Sequence, residues 1–311
     1  MGFRVSDASI FQNAVRSTRQ NRFALNQIQN QIATGKRINS LADDPLGASR
    51  SLGLSTTLDR IDQFQRNING ARAALQTSES AIAQVSDLLI RLRELAVSAD
   101  TEVAEFDKIQ AEAEQRFGEL LSIANTRVGD VYLFGGFVTD TAPVTQTGVF
   151  TDPAPIVAYN GDSGARLVQI DESSQIQVNV TARELFFGST DNDDVADGAN
   201  VNVFSVIQDF INRLADPATN GAPVGVLDDL DSALQQTLRA RGLLGARDNR
   251  VESTATQLDG LRVTIEKERS VLEDIDLVET ITELQSKEAT FQASLGITAR
   301  IIQPTLLNFL G

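Results

Sequence analysis

The 311-residue sequence contains no cysteine, no histidine and no tryptophan, and its only methionine is Met1. The lack of cysteine excludes disulfides, thiolate nucleophiles and cysteine-based zinc or iron–sulfur sites. The lack of histidine removes the most common general base and the most common metal ligand. Carboxylates, lysine, tyrosine and serine remain available, but most routes to catalysis near pH 7 are closed. We therefore expect no enzyme, no metal centre and no cofactor.

Acidic residues outnumber basic ones by 42 to 27, which gives a formal net charge of −15. The excess is greatest in residues 138–224, which contain 12 acidic residues and three basic ones. Nucleic acid and anionic membranes attract clustered lysine and arginine, so we expect neither as a partner. No apolar run is long enough to span a bilayer, and the N-terminal residues lack the apolar stretch of a cleavable signal peptide. The sequence therefore predicts a protein that stays in the cytosol or is exported without a cleaved signal.

Proline divides the chain into three parts. No proline occurs between Pro45 and Pro143 or between Pro223 and Pro304, whereas five occur from Pro143 to Pro223. Because proline disrupts helix interiors, this distribution predicts two long helical regions that flank an insert.

Apolar residues recur every seven positions in both proline-free regions, which is typical of a coiled coil. In the first region the repeat comprises Leu54, Ile61, Ile68, Leu75, Ile82, Leu89 and Ala96, with Phe64, Ala71, Val85 and Leu92 three residues after members of that series. A continuous helix from about residue 46 to 98 would be roughly 80 Å long and would need partner helices along its apolar stripe. Residues 104–128 and 226–275 carry the same spacing and are the candidate partners.

Both ends of the chain carry amphipathic helical patterns. The predicted contact residues are Phe11, Leu25, Ile28 and Ile32 near the N-terminus and Leu295, Ile302, Leu306 and Phe309 near the C-terminus. Chain ends usually fray unless a partner holds them. The pattern leaves two alternatives open: the ends pair with each other within one monomer, or they complete a coiled coil shared by several subunits.

The middle of the chain changes from helical to strand periodicity. Residues 166–180 alternate β-branched and polar side chains, which predicts strands, and helical spacing returns from Val203 to Leu214. The predicted fold is mainly α with a β-rich insert, in which the N- and C-terminal halves form a long antiparallel helical bundle or coiled coil. The predicted domains are terminal assembly segments (1–45 plus 276–311), a helical stalk (46–137 plus 201–275) and the insert (138–200).

Two sets of carboxylates are the remaining candidates for chemistry. Asp43 and Asp44 precede Pro45, a pattern typical of a helix N-terminus, where acidic side chains cap the first turn. Asp162 and Asp194 lie in the acidic insert, where a carboxylate-based hydrolase would need two acids in one pocket. We keep that hydrolase as a remote alternative.

Four segments together resemble the bacterial flagellin superfamily. Near the N-terminus, residues 32–45 read IATGKRINSLADDP. In the C-terminal half, residues 245–251 read GARDNRV, residues 272–276 read LEDID, and the chain ends with LLNFLG at residues 306–311. The resemblance covers about the first 140 and the last 90 residues.

Three further features resemble the branch of this superfamily that joins the flagellar hook to the filament. They are YLFGGF at residues 132–137 with TDTAP at 139–143, YNGDSG at residues 159–164, and the pair Asp44-Pro45. Val144 departs from the pattern, because an aromatic residue is expected after that proline. Filament flagellin remains the alternative within the superfamily.

The resemblance implies a structural subunit of the flagellum without catalysis. It implies cytoplasmic synthesis, export through the flagellar type III apparatus with a dedicated chaperone, and an extracellular position at the hook–filament junction. There the subunits would form a ring between the first hook-associated protein and flagellin. We further expect the two ends to be mobile in the free monomer and to become ordered against neighbours, because the entropic cost of ordering would then suppress premature assembly.

Overall fold

The computed structural model describes residues 3–101, 105–152, 154–189 and 195–310, and it divides into two compact units. One unit comprises residues 1–60 and 260–311, and the other comprises residues 61–259. The α-helices are α1 (Phe3–Thr34), α2 (Pro45–Thr101), α3 (Phe106–Ala124), α4 (Val203–Ala215), α5 (Pro217–Asn220), α6 (Leu227–Glu273) and α7 (Leu277–Leu310). The strands are β1 (Arg127–Val128), β2 (Val131–Tyr132), β3 (Val144–Gln146), β4 (Val157–Tyr159), β5 (Leu167–Gln169) and β6 (Gln175–Gln177). None of the helices in these described ranges combines the length and the hydrophobicity that spanning a bilayer requires.

The larger unit is organised by an antiparallel pair of helical stretches, residues 61–101 of α2 and 227–259 of α6. Gln65 Nε2 donates to Asp259 Oδ1 at 2.5 Å, and Arg93 Nε contacts Asp231 Oδ1 at 2.7 Å. The α6 partner therefore moves from 259 back to 231 as α2 advances from 65 to 93. This confirms the predicted antiparallel packing of the N- and C-terminal halves.

The seven-residue repeat forms the apolar seam of this helix pair. Its buried members are Ile61, Ile68, Leu75, Ile82, Leu89 and Ala96 on α2 and Leu230, Leu244, Val251 and Leu258 on α6. Each fully buried leucine or isoleucine contributes about 1.5–3 kcal/mol relative to an exposed side chain. Ser78 is buried within the same stretch of α2, and its hydroxyl donates to the Ala74 carbonyl at 2.8 Å, so the polar group is satisfied inside the helix.

Aromatic side chains join α3 and α4 to the insert. The Phe117 ring on α3 packs edge-on against Phe150 and Phe204, with ring centroids 5.0 and 5.5 Å apart. Phe186 lies in a five-residue π-helix (Arg183–Phe187) and packs against Phe134 and Phe204. Because one cluster of rings holds these elements together, the insert and the stalk helices of this unit share a core.

Three antiparallel hairpins supply all the strands found among the described residues. β1 pairs with β2, β3 with β4, and β5 with β6. The β5–β6 hairpin confirms the strands predicted in residues 166–180. The β3–β4 hairpin has no matching prediction.

The smaller unit contains α1 and α7, which run antiparallel to each other. The hydroxyl groups of Thr18 and Thr298 are 3.1 Å apart, and Asn21 Nδ2 donates to Ser294 Oγ at 2.5 Å. The described parts of the two chain ends therefore contact each other within one chain, which is the first of the two alternatives left open above. The division into terminal, stalk and insert domains stays a prediction.

We predict that Phe117→Ala destabilises the larger unit by about 3–5 kcal/mol, because it removes a fully buried ring from the aromatic cluster. The matched control is Phe23→Ala, which removes a side chain that is 72% exposed and should change stability by less than about 0.5 kcal/mol. Urea unfolding followed by circular dichroism measures both effects. Equal losses in the two variants would contradict the assignment of Phe117 to the core.

Candidate assembly surface

The smaller unit buries few of its own apolar side chains. Among its described residues, the buried ones are Ile28, Ile38, Leu58 and Ile265. Large apolar side chains are exposed along the same unit at Ile10, Phe11, Phe23, Leu41, Leu46, Leu52, Leu261, Val263, Val271, Leu277, Val278, Ile281, Leu295 and Ile297. Exposed apolar surface on this scale is typical of a protein interface.

The predicted contact residues on α1 lie at different depths. Ile28 is buried, and Leu25 and Ile32 are half-buried, whereas Phe11 is 41% exposed. Leu25 and Ile28 lie on the same side of the helix as Thr18 and therefore face α7. Phe11 is seven residues before Thr18 and lies on this side of the helix too, so its position does not explain why it is more exposed than Leu25 and Ile28.

The predicted contact residues on α7 are less completely described. Leu295 is 47% exposed. Ile302, Leu306 and Phe309 belong to α7, but their side chains lie outside the described residues. The proposed role of these eight residues in assembly therefore stays a prediction.

The loop between α1 and α2 is tied to the short connection between α6 and α7. The backbone N–H of Arg37 donates to the Glu273 carbonyl at 2.5 Å, and that of Ile275 donates to the Gly35 carbonyl at 3.1 Å. Lys36 and Asp274 form an isolated antiparallel β-bridge between them. We call residues 35–44 together with 272–276 the joint.

Side chains reinforce the joint. Lys36 Nζ lies 2.8 Å from Glu273 Oε2, and the Glu273 side chain is only 11% exposed. Arg37 Nη2 donates to the Leu272 carbonyl at 3.0 Å and lies 3.3 Å from Asp44 Oδ2. The flagellin-like segments 32–45 and 272–276 therefore form a single structural feature, which the sequence alone did not indicate because they are more than 200 residues apart.

Asp43 and Asp44 accept hydrogen bonds from different segments, Asp44 from the first turn of α2 and Asp43 from the loop before it. Asp44 Oδ1 accepts the Gly47 N–H at 2.9 Å, so it caps the helix as predicted. Asp43 Oδ2 instead accepts the N–H groups of Ser40 and Asn39 at 2.8 and 3.0 Å and closes the loop before the helix. The prediction that both residues cap the helix is thus correct only for Asp44.

These hydrogen bonds lower the pKa of both carboxyl groups below the usual value of 3.8, through Ser40 and then Asn39 for Asp43, and chiefly through Gly47 for Asp44. Because the pKa of each carboxyl group is lower in the folded state than in the unfolded state, the ionised carboxylates stabilise the folded joint at pH values above the unfolded-state pKa. This contribution is lost as the pH falls through the folded-state pKa.

We therefore predict that the Ser40 and Gly47 amides remain protected at pH 5 and lose protection below pH 3.8. Amide NMR measures this directly. Loss of protection between pH 5 and 7 would contradict the assigned bonds.

In the insert, the two segments that resemble the junction branch contact each other. The Tyr159 hydroxyl donates to the carbonyls of Asp162 and Phe134 at 2.6 and 3.3 Å. Asp162 in turn donates its backbone N–H to the Gly135 carbonyl at 3.1 Å. Residues 132–137 and 159–164 therefore form one interlocked feature, which we call the insert lock.

Asp162 is engaged within the insert lock. Its Oδ1 atom accepts the N–H groups of Phe137 and Gly164 at 2.7 and 2.8 Å. These bonds assign the carboxylate to holding a turn. The second acid of the hydrolase alternative, Asp194, lies outside the described residues. In the described part of the chain, no three acidic side chains come together as a potential metal site.

Gly136 is required by the insert lock for two reasons. It has a φ of 75°, and an added Cβ would overlap the Asp162 carboxylate and carbonyl. Gly129 has a similar φ of 61°, but no atom lies within 4 Å of an added Cβ. Comparing the same substitution at the two glycines therefore distinguishes the cost of backbone strain from the cost of steric overlap.

We predict that Gly129→Ala costs about 1–2 kcal/mol from backbone strain alone. Gly136→Ala should cost more, because the same strain adds to overlap with Asp162. Urea unfolding of the two single variants measures the difference. If the two substitutions cost the same, the close packing of the insert lock would be wrong.

Comparison with protein families gives matches over both terminal regions of the chain. The bacterial flagellin N-terminal helical region matches residues 5–139, and the bacterial flagellin C-terminal helical region matches residues 227–310. Each matched range contributes one of the two segments of the joint. Residues 140–226, which contain most of the insert, lie outside both matched regions.

Two relatives match nearly the whole chain at equal identity. Flagellin of Bacillus subtilis is 24% identical over 94% of this chain and 93% of its own length. Flagellar hook-associated protein 3 of Escherichia coli is 24% identical over 94% of each chain. Sequence identity alone therefore does not separate the two branches.

Solved structures share the fold. A hook-associated protein from Vibrio parahaemolyticus superposes with a TM-score of 0.64 at 22% identity, over 74% of this chain and 99% of its own. The flagellar junction protein FlgL from Legionella pneumophila gives a TM-score of 0.58 at 20% identity, over 73% of this chain and 100% of its own. The likeness establishes a common mainly helical architecture.

Proposed function

The chain belongs to the bacterial flagellin family, and within this family we propose that it is the structural subunit that joins the flagellar hook to the filament. In this role it carries no catalytic activity and needs no cofactor. It contributes to motility as a mechanical connector. Filament flagellin is the second candidate, because the flagellin of Bacillus subtilis is as similar in sequence to this chain as hook-associated protein 3 of Escherichia coli is.

The insert lock is the observation that carries the choice of branch. Residues 132–137 and 159–164 resemble the junction branch, and they depend on each other through Tyr159, Asp162 and Gly136. Two short motifs whose residues hydrogen-bond to each other form one structural feature. Two unrelated chance similarities in sequence would not be expected to lie in contact in the fold. The likeness of the fold to hook-associated proteins supports the same choice.

In the proposed assembly, residues 1–45 and 276–311 form the contacts between subunits. Support comes from the exposed apolar side chains of the smaller unit, Phe11 and Leu295 among them. Subunits arranged in a ring would contact the first hook-associated protein on the hook side and flagellin on the filament side. Because a chain without cysteine forms no disulfide during passage, it is suited to type III export with a dedicated chaperone.

The proposed assembly mechanism rests on the thin core of the smaller unit. With few buried apolar side chains to offset the entropy of ordering, α1 and α7 gain most of their stability from neighbouring subunits. Premature association in the cytosol is then disfavoured, and addition to an existing end is favoured. The joint lies directly after the end of α1 and directly before the start of α7.

The position of the protein on intact flagella tests the function. We predict that antibody raised against residues 138–224, detected by immunogold electron microscopy, labels a single band where hook meets filament. A strain from which the gene has been deleted is the control for antibody specificity. Label along the whole filament would instead identify the protein as filament flagellin, and no label with a validated antibody would exclude both roles.

A further inference from the structure

Asparagine is followed directly by glycine at three places in the chain, at Asn69, Asn160 and Asn220. In such a pair the glycine nitrogen can attack Cγ of the asparagine side chain, because glycine has no Cβ to hinder the approach. A bond forms between this nitrogen and Cγ, the Cγ–Nδ2 bond breaks, and the amide leaves as ammonia with the glycine N–H proton. Water then opens the resulting succinimide ring to aspartate or isoaspartate. The fold decides which of the three pairs reacts in this way.

Two of the three glycine nitrogens are engaged in hydrogen bonds. Gly70 lies inside α2, where each N–H donates to the carbonyl four residues earlier. The Gly221 N–H donates to the Pro217 carbonyl at 3.0 Å, and Asn220 Nδ2 donates to the Asn212 carbonyl at 3.0 Å. A nitrogen held in this way must lose its hydrogen bond before it can attack. Both pairs are therefore protected in the folded chain.

The third pair, Asn160 and Gly161, lies in the insert lock directly after β4. No hydrogen bond of the Gly161 N–H occurs in the described part of the chain. The Asn160 side chain is exposed, and its Nδ2 donates to Thr145 Oγ1 at 2.9 Å and to the Ala142 carbonyl at 3.3 Å. The attacking nitrogen is thus available, and two exposed hydrogen bonds of the amide are the restraint on the reaction.

The packing of the insert lock requires glycine at position 161. An added Cβ would overlap the Tyr159 hydroxyl and would lie 2.7 Å from the Gly135 carbonyl oxygen. The Tyr159 hydroxyl is a central group of the lock, because it donates to the carbonyls of Asp162 and Phe134. The contacts that form the lock therefore impose the residue that makes Asn160 reactive.

We propose that Asn160 is the site at which the folded protein deamidates spontaneously, and that the product loosens the insert lock. The Asn160 amide donates to Thr145 and Ala142, whereas the carboxylate of the product accepts hydrogen bonds and donates none. The product also places a negative charge two residues from the Asp162 carboxylate, which holds the turn of the lock. Because like charges repel, the turn becomes less stable.

Isoaspartate changes the main chain as well. It adds a methylene group to the backbone between two hydrogen bonds, in which the N–H of Asn160 donates to the Pro143 carbonyl at 2.8 Å and that of Asp162 donates to the Gly135 carbonyl at 3.1 Å. These two bonds fix the length of chain on either side of Gly161, so the added methylene displaces one of them. The reaction depends only on the fold of the insert, and its failure would leave the proposed function standing.

Peptide mass spectrometry of the full chain tests the site, because trypsin places the three pairs in different peptides. Residues 67–72, 128–166 and 214–239 contain Asn69, Asn160 and Asn220, respectively. Folded chain and chain unfolded in guanidinium chloride are incubated at mildly alkaline pH, and the rate at each site is divided by its rate in the unfolded chain. This ratio should be at least about fivefold higher for Asn160 than for Asn69 or Asn220, which is the factor that corresponds to one net hydrogen bond.

Thr145→Val removes one of the two acceptors of the Asn160 amide, so deamidation at Asn160 should be about threefold faster than in the wild type. The matched control is Thr147→Val, which makes the same change at another exposed threonine of the insert. No hydrogen bond of the Thr147 hydroxyl occurs among the described residues, so this variant should react like the wild type. Circular dichroism establishes that both variants are folded, and the wild-type comparison needs neither of them.

Amide hydrogen exchange measures the effect on the lock. The N–H groups of Phe137 and Gly164, which donate to Asp162, should exchange faster in deamidated than in fresh protein. Asn160→Gln is the control, because its longer side chain does not form the five-membered ring, and fresh and incubated samples of it should exchange alike. Deamidation of Asn69 or Asn220 at least as fast as that of Asn160 would overturn the site. Unchanged exchange at Phe137 and Gly164 after deamidation would overturn the effect on the lock.

Discussion

The antiparallel seam between α2 and α6 is the interaction on which the rest of the structure depends. Its buried isoleucines, leucines and valines recur every seven residues, so two long helices remain in register over residues 61–101 and 227–259. In the same unit, the aromatic cluster around Phe117 and Phe204 joins α3 and α4 to the insert. The seam also brings two regions that are far apart in sequence into contact.

The smaller unit has the opposite balance, with more exposed than buried large apolar side chains among its described residues. The joint connects its two backbone segments through Arg37 and Glu273, but most of the described large apolar side chains outside the joint are exposed. We propose that neighbouring subunits supply most of the stability of a unit with this balance of surface and core. The larger unit thus has a substantial core of its own, whereas the smaller unit leaves apolar side chains of its terminal helices exposed.

The sequence predicted features that repeat or follow local rules. The heptads predicted a helix over residues 46–98 that the structure extends to Pro45–Thr101, and Asp44 before Pro45 predicted the cap. The joint and the insert lock were not predictable, because their contacts join residues such as Arg37 and Glu273 that no periodicity relates. Helical spacing gave Ile28 and Phe11 the same predicted role in assembly, and the structure shows that Ile28 is buried whereas Phe11 is 41% exposed.

The central claim is that the terminal helices gain their stability from neighbouring subunits. Hydrogen exchange followed by mass spectrometry, on the free chain and on assembled protein, measures this most directly. The account predicts that residues 9–34 and 277–300 exchange much faster than residues 61–101 in the free chain and become strongly protected on assembly. Full protection of both terminal helices in the free chain would contradict it.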